Sequence, residues 1–129
     1  MPVGILMVSH EGVASPLLAA ARRLVGALPL AVEAFEVPWE ADADAVLPGA
    51  SAALRKVDGD GVLLMVDLYG ATPARVAEKL SRLGTPCHRI SGLSLPMLLR
   101  ALNYPEQGLD ELARTAAAGA RNGVVIDDA

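Results

Sequence analysis

Two residues placed at the ends of apolar stretches could form a reactive pair. The segment ILMVSHEG, over residues 5–12, stops at His10, and the chain has only two histidines. Asp67 follows a second apolar stretch in the segment VDLYGATP, over residues 66–73. A carboxylate beside an imidazole fixes which ring nitrogen carries the proton and leaves the other as a nucleophile or base. His10 and Asp67 are therefore a candidate pair for carrying a phosphoryl group.

Features suited to an anion follow both residues. Ser15-Pro16 and Thr72-Pro73 have the pattern of a helix N-cap followed by a first-turn proline. Such helix starts aim free backbone N–H groups and the positive end of a helix dipole at one region. The backbone can approach an anion closely at three small residues, Gly12, Gly70 and Ala71.

Other chemistries fit these residues less well. Ser9 and His10 are adjacent on extended backbone and would point to opposite sides, which argues against a catalytic triad. His10, Glu11 and Asp67 show no recognised metal-ligand spacing, and neither G-x-x-x-x-G-K nor G-x-G-x-x-G occurs. We therefore expect neither a metal nor a cofactor. Two alternatives stay open: a binding or regulatory module in which His10 is never phosphorylated, and a hydrolase that uses His10 and Asp67 as acid and base.

Three further side chains are notable because their types are rare in this chain. His88 lies next to Cys87 in a predicted strand, where a structural role is the simpler interpretation. Trp39 and Tyr69 are the candidate exposed aromatic residues, and a cover for the edge of the sheet is the simpler alternative for Trp39. Tyr69, two residues after Asp67, is placed to flank the site.

The apolar pattern predicts the strands that would position these residues. Continuous apolar runs at Val3–Val8 and Gly61–Val66 are typical of parallel strands covered on both faces. Further strands are predicted at Leu30–Val37, Cys87–Ser91 and Val124–Ile126. In parallel sheets, ligands bind beyond the carboxyl ends of the strands, where strand order reverses, and His10 and Asp67 are predicted to lie there.

Helices are predicted between the strands. Strands that alternate with helices need crossover connections, so we expect an α/β fold with an open, mostly parallel central sheet and helices on both faces. The first helix is predicted to begin at Ser15, with an apolar face that reaches Leu28. A second is predicted near Ala50–Val57, because Pro48 and Gly49 interrupt the stretch before it. The others are predicted from Thr72 to Gly84, at Leu95–Leu102 and at Leu109–Ala120.

Length and composition narrow the class of protein. The 129 residues predict a single domain over 1–129. The net charge of −4 and the scattered basic residues argue against a nucleic-acid partner. The single cysteine excludes an intramolecular disulfide and favours a reducing compartment. Without a signal segment or an apolar run near the roughly 20 residues that span a bilayer, we expect a cytoplasmic protein not embedded in a membrane.

Three segments resemble the signature blocks of a known family. GILMVSHEGVASPLLAAARRLVG, GVLLMVDLYGATPARVA and ISGLSLPMLLRAL are similar, in order and spacing, to the IIA component of the mannose family of the bacterial phosphoenolpyruvate-dependent sugar phosphotransferase system. The resemblance covers essentially the whole chain. Three positions depart from the usual family pattern. Ala71 stands where the family usually has a glycine, Ser94 replaces a frequent asparagine, and Arg75 stands near a position often occupied by asparagine.

The resemblance implies a function, partners and an assembly. His10 would accept a phosphoryl group from the histidine-containing phosphocarrier protein and pass it to a IIB component, for sugar uptake or regulation, with contact to a membrane permease only through IIB. Asp67 would hold the imidazole, and Thr72 and Ser9 would hydrogen-bond the phosphoryl oxygens. The resemblance also implies a homodimer in which the last strand, Val124–Ile126, is exchanged between subunits.

Overall fold

The computed structural model describes residues 2–128, which form a four-stranded, all-parallel sheet and five helices. Strands and helices alternate up to β4, and two helices follow it. This confirms the predicted α/β class. The elements are β1 (Gly4–His10), α1 (Ala14–Val25), β2 (Val32–Val37), α2 (Ala43–Arg55), β3 (Val62–Val66), α3 (Thr72–Leu80), β4 (Cys87–Ser91), α4 (Leu95–Leu102) and α5 (Leu109–Asn122).

The strand order creates a crevice beside β1. The order is β2-β1-β3-β4, so the chain leaves β1 toward one edge, returns to its other side at β3 and continues outward. The direction of winding therefore reverses between β1 and β3, which is where parallel sheets bind ligands. Val8 pairs with Val66, so β1 and β3 end at the same edge of the sheet. His10 and Asp67 follow these paired residues.

The core has two layers because the central strands are buried on both faces. Ile5, Met7, Leu63 and Met65 pack under α1, α4 and α5. Their neighbours Leu6, Val8, Leu64 and Val66 face α2 and α3. This arrangement accounts for the continuous apolar runs in the sequence, since both sets of alternating side chains must be apolar.

The second helix begins earlier than the sequence pattern predicted. It runs over Ala43–Arg55 with Pro48 inside it, whereas a helix was predicted near Ala50–Val57 with its start left open by Pro48 and Gly49. An interior proline removes one hydrogen bond and costs about 3 kcal/mol. Burial of Ala43, Ala50, Ala53 and Leu54 against the sheet offsets that loss. Gly49 also allows close packing, because a Cβ there would lie 3.3 Å from the Phe35 ring.

Boundaries of α1 and α3 also differ from the predictions. α1 begins at Ala14, so Ser15 lies in its first turn and is not its N-cap. α3 ends at Leu80, not at Gly84, and the chain continues in turns through Leu83, which is 58% exposed. An exposed Leu83 makes no core contact that would extend the helix. Thr72, which was predicted as the N-cap of α3, is the first residue of that helix, and Ala71 holds the N-cap position.

The predicted last strand does not form in the single chain. Val124, Val125 and Ile126 follow α5 in irregular backbone and are 82%, 70% and 75% exposed. A strand needs a neighbouring strand for its backbone hydrogen bonds, and no strand of residues 2–128 pairs with this segment. The prediction is therefore wrong for one copy of the chain, and exchange between two copies stays a prediction.

Candidate functional site

His10 and Asp67 meet at the carboxyl edge of the sheet. His10 is the last residue of β1, and the Asp67 carboxylate oxygen Oδ2 lies 2.7 Å from the imidazole nitrogen Nδ1. The same oxygen accepts a hydrogen bond from the His10 backbone N–H at 2.9 Å. The side chains are only 18% and 12% exposed. A partly buried, charge-assisted hydrogen bond of this length holds the Nδ1 edge of the ring in place.

The contact with Asp67 assigns the two ring nitrogens different tasks. A carboxylate only accepts hydrogen bonds, so Nδ1 carries the proton that faces it. Nε2 then holds the free lone pair and forms no hydrogen bond within residues 2–128. The arrangement can therefore present a nucleophilic nitrogen while a carboxylate stabilises positive charge on the ring.

The second Asp67 oxygen has no donor in the described chain. Oδ1 is buried and accepts no hydrogen bond from residues 2–128. Leaving a buried acceptor unpaired costs on the order of 1–3 kcal/mol. Within residues 2–128, Asp67 is therefore hydrogen-bonded only through Oδ2, to His10.

Trp39 lies against His10 and does not serve as the sheet-edge cover that the sequence suggested. The indole and imidazole rings are stacked, with centroids 4.7 Å apart and planes inclined by 20°. Trp39 nevertheless remains 69% exposed. Its position follows from the pairing of His10 with Val37 in β2, two residues before Trp39.

Ser9 has a local role in the backbone of the β1–α1 loop. It is fully buried, its hydroxyl donates to the His10 carbonyl at 2.8 Å and accepts from the Ala14 N–H at 3.0 Å. The hydroxyl thus satisfies the first N–H of α1, as a capping side chain does. In this conformation Ser9 positions the loop after His10 and is not brought to the surface of the site.

Glu36 is a residue that the sequence reasoning missed. Its carboxylate accepts the N–H of Gly12 at 2.9 Å and of Ser15 at 2.7 Å. The backbone hydrogen bond from Gly12, followed by that from Ser15, lowers the pKa of Glu36. An internal carboxylate therefore occupies the N-terminal end of α1, which was expected to offer free N–H groups. The signal was weak, because one glutamate in a half-buried strand does not show which loop it reaches.

The N-terminal end of α3 is open by comparison. The backbone N–H groups of Gly70 and Thr72 donate no hydrogen bond within residues 2–128, and Ala71 makes only a long one, 3.5 Å, to the Leu68 carbonyl. Gly70 has a φ of 83°, a left-handed conformation that favours glycine. Arg75 donates through Nη2 to Thr72 Oγ1 at 3.1 Å. The Thr72 hydroxyl proton is then free to bind an anion.

An open cleft lies beside this helix start. Its volume is about 420 Å³, and its lining includes Tyr69, Gly70, Arg75, Glu78 and Arg89. Tyr69 is 86% exposed, as expected for a residue that flanks the site. Arg89 is paired with Glu78 at 3.7 Å, so Arg75 is the cation in this lining that could attract an anionic group.

The second histidine is not part of this site. His88 Nε2 lies 2.6 Å from Asp110 Oδ1 in a half-exposed pair between β4 and α5. Among the residues that the structure describes, no group of three or more histidine, cysteine, aspartate or glutamate side chains could hold a metal ion. In the same part of the chain, no helix is long and apolar enough to cross a membrane.

Fold and site together define a class: doubly wound α/β proteins with a histidine–carboxylate pair at the reversal of strand order. Comparison with known families is more specific. Residues 4–116 match the family model described as PTS system fructose IIA component. The chain belongs to this mannose-type family of phosphotransferase system IIA components.

Individual relatives agree with this assignment. The mannose-specific EIIAB component of Escherichia coli K12 is 30% identical over 127 residues, which is 96% of this chain but 39% of the relative. The chain thus spans about two fifths of that relative. The mannose/sorbose-specific IIA subunit of Enterococcus faecalis superposes with a TM-score of 0.87 at 26% identity, covering 100% of this chain and 97% of the subunit. An EIIA component from Streptococcus agalactiae, at 24% identity and TM-score 0.79 over 95% of each chain, shares the fold.

Proposed function

We propose that His10 is a phosphohistidine carrier of the sugar phosphotransferase system. It accepts a phosphoryl group from the histidine-containing phosphocarrier protein and passes it to a IIB component in the cytoplasm. The observation that carries this proposal is the 2.7 Å contact between His10 Nδ1 and Asp67 Oδ2, because it leaves Nε2 as the nucleophile. Membership of the IIA family supports it.

The transfer needs only groups present at this edge of the sheet. The Nε2 lone pair attacks phosphorus in line, a new N–P bond forms, and the N–P bond to the donor histidine breaks. The Nδ1 proton stays in place, and the positive charge that develops on the ring is balanced by Asp67. The open N–H groups of Gly70 and Thr72, with the Thr72 hydroxyl, would bind the phosphoryl oxygens, and the Ala71 N–H, which makes only a 3.5 Å hydrogen bond to Leu68, would join them. In a second transfer, a nucleophile of IIB attacks the phosphoryl group, the N–P bond to His10 breaks, and Nε2 regains its lone pair.

A protein partner suits the surface around the site. Leu68 and Tyr69 are 60% and 86% exposed, and both follow β3, which ends at this edge. Exposed apolar groups collected around a polar centre are typical of protein contact sites. We therefore assign donor and acceptor docking to this surface.

Phosphorylation by the purified donor chain tests the proposal. The protein is incubated with phosphoenolpyruvate, the general phosphotransferase enzyme and its phosphocarrier protein, and intact mass is measured. We expect a gain of one acid-labile phosphoryl group in the wild type and none in His10→Ala. The chain supplies its own control: His88→Ala removes its other histidine and should still gain the group.

Two results would count against the carrier role. If the wild type gains no phosphoryl group from a competent donor, the unphosphorylated binding module becomes the better interpretation. If the group appears on His10→Ala but not on His88→Ala, the reactive histidine has been assigned incorrectly. A phosphorylated wild type that passes the group to no IIB protein would contradict the second transfer.

The carrier is further proposed to be a homodimer that exchanges its last segment. Val124, Val125 and Ile126 form an apolar tripeptide with at least 70% of each side chain exposed. Among the described residues, β2 and β4 each pair with one strand only, and an unpaired edge can accept a strand from another chain. Pairing of the tripeptide with a second copy would satisfy its backbone and cover its side chains.

Truncation tests the exchange. Ending the chain after Asn122 should shift its size-exclusion elution from dimer to monomer, because the exchanged segment is gone. Ending it after Ile126 is the matched control and should leave the elution unchanged. Equal elution of the two truncated chains would contradict the exchange.

A further inference from the structure

Trp39 makes a contact with His10 that the carrier mechanism has not used. The two rings are stacked at 4.7 Å, on the face of an imidazole whose edge is already held by Asp67. A hydrogen bond through Nδ1 fixes one edge of the ring but still allows the ring plane to tilt about that bond. A stacked aromatic ring opposes that tilt.

The backbone places Trp39 at this position. Val37 pairs with His10, and the Val37 carbonyl also accepts the Glu11 N–H at 3.0 Å, so β1 and β2 remain joined just beyond the histidine. The Pro38 carbonyl then accepts the Ala41 N–H at 3.0 Å, which closes a turn with Trp39 at its second position. Proline before the tryptophan further restricts the turn.

We infer that Trp39 is a positioning residue for phosphoryl transfer, which holds the imidazole plane so that Nε2 attacks in line. This inference rests on the proposed carrier function. In-line attack requires the Nε2 lone pair, which lies in the ring plane, to point along the axis of the breaking bond, so tilt of the plane lowers the reactive fraction. The ring also gains positive character as the N–P bond forms, and an aromatic face stabilises a cation.

Alignment of the Nε2 lone pair and stabilisation of positive charge on the ring both become more important between the bound state and the transition state. An interaction that is stronger in the transition state raises the rate within the complex and leaves donor affinity unchanged. A role as a docking contact would have the opposite signature, since it would change the donor concentration needed for half-maximal rate. The two roles of an exposed tryptophan are therefore separable by kinetics.

The decisive experiment measures phosphorylation rate against donor concentration for wild type, Trp39→Ala and Trp39→Phe. We expect Trp39→Ala to lower the saturating rate about twofold to tenfold, the factor to which an aromatic stacking energy converts. The half-saturating donor concentration should be unchanged, and Trp39→Phe should recover most of the rate. Tyr104→Ala is the matched control, because Tyr104 is a partly exposed aromatic residue beyond α4 and is expected to have no effect.

The stack itself is measured without any phosphoryl transfer. In the unphosphorylated protein, the C–H protons of the His10 ring should resonate upfield because of the indole ring current, and Trp39→Ala should remove that shift. Trp39 is the only tryptophan, so its emission should change on phosphorylation of the wild type and not when His10→Ala is exposed to the same donor.

These measurements test the positioning role of Trp39 separately from the carrier function of His10. A wild type that takes no phosphoryl group refutes the carrier function, whatever the ring shifts show. A wild type that is phosphorylated, with an unchanged saturating rate in Trp39→Ala or an effect only on half-saturation, refutes the positioning role alone. Absence of the upfield shift would remove its structural basis.

Discussion

Two helix N-terminal ends flank His10, and they are built in opposite ways. At α1 the Glu36 carboxylate accepts the N–H groups of Gly12 and Ser15, so the positive end of the helix already has an internal anion. At α3 the N–H groups of Gly70 and Thr72 have no acceptor in residues 2–128, and a guanidinium from Arg75 is added. One end is closed by the protein, and the other is left for a ligand.

A helix start beside a reactive residue is therefore not automatically a binding site for an anion. Backbone N–H groups and the helix dipole favour an anion at both ends. At α1 the Glu36 carboxylate is already the bound anion, so it would repel a phosphoryl group at that end. We therefore expect substitutions at the α3 end to affect phosphoryl transfer and substitutions at the α1 end to affect stability.

The largest effect is expected at Thr72. Thr72→Val keeps the shape of the side chain but removes the hydroxyl that would donate to a phosphoryl oxygen. A hydrogen bond to a charged group is worth about 1.5–3 kcal/mol, so we expect the phosphorylation rate to fall about tenfold to a hundredfold. The rate is measured with purified donor under single-turnover conditions.

The matched control for this change is Thr85→Val. Thr85 also has an exposed hydroxyl, 3.4 Å from Asp58, but it lies in the turn before β4, at the other edge of the sheet. Its substitution should leave the rate unchanged. Equal rates for wild type and Thr72→Val would show that the open helix end does not receive the phosphoryl group.

A smaller effect, on stability, is expected at Glu36. Glu36→Gln weakens a cap on two N–H groups, and changes of this kind cost about 0.5–2 kcal/mol of unfolding free energy. The folded-state pKa of Glu36 is lowered, so its contribution is complete above the ordinary glutamate pKa and is lost as pH falls through the lowered value. The gap between wild type and Glu36→Gln in urea unfolding should therefore close in acid.

Glu33→Gln provides the control for Glu36. It makes the same change of charge on the same strand, β2, and should lower stability less at neutral pH. A difference between wild type and Glu36→Gln that persists unchanged in acid would contradict the carboxylate cap.

The open end of α3 and the closed end of α1 also differ in how far the sequence predicts them. His10, Asp67 and Thr72 were identified because they stand directly after buried strands or at a proline-marked helix start, which are local patterns. Strand order then brings β1 and β3 together, so the pairing of His10 with Asp67 follows from topology. A mostly parallel sheet was predicted because the apolar runs of its two central strands, β1 and β3, are continuous.

Glu36 and Trp39 were beyond such reasoning because their contacts depend on the register of β2 against β1. A shift of one residue would turn the Glu36 side chain to the other face of the sheet, and the sequence does not fix that register. The early start of α2 was missed because tertiary burial overrides the cost of Pro48. The segment Val124–Ile126 has a strand-like pattern, but a strand forms only where an edge is available to pair with it.

The smallest effect on the phosphorylation rate is expected at Arg75, which contacts the Thr72 hydroxyl at the open end of α3. Arg75→Gln removes one exposed charge and weakens the 3.1 Å hydrogen bond to Thr72. Exposed contacts of this type contribute about 0.2–1 kcal/mol, so the phosphorylation rate should fall by no more than about fivefold. Because exposed charges are screened, the deficit should shrink as ionic strength rises.

Arg55→Gln is the control, since Arg55 makes an exposed 2.9 Å hydrogen bond to Ser51 on α2. An equal loss in both variants would mean that net charge, and not the orientation of the Thr72 hydroxyl, determines the rate.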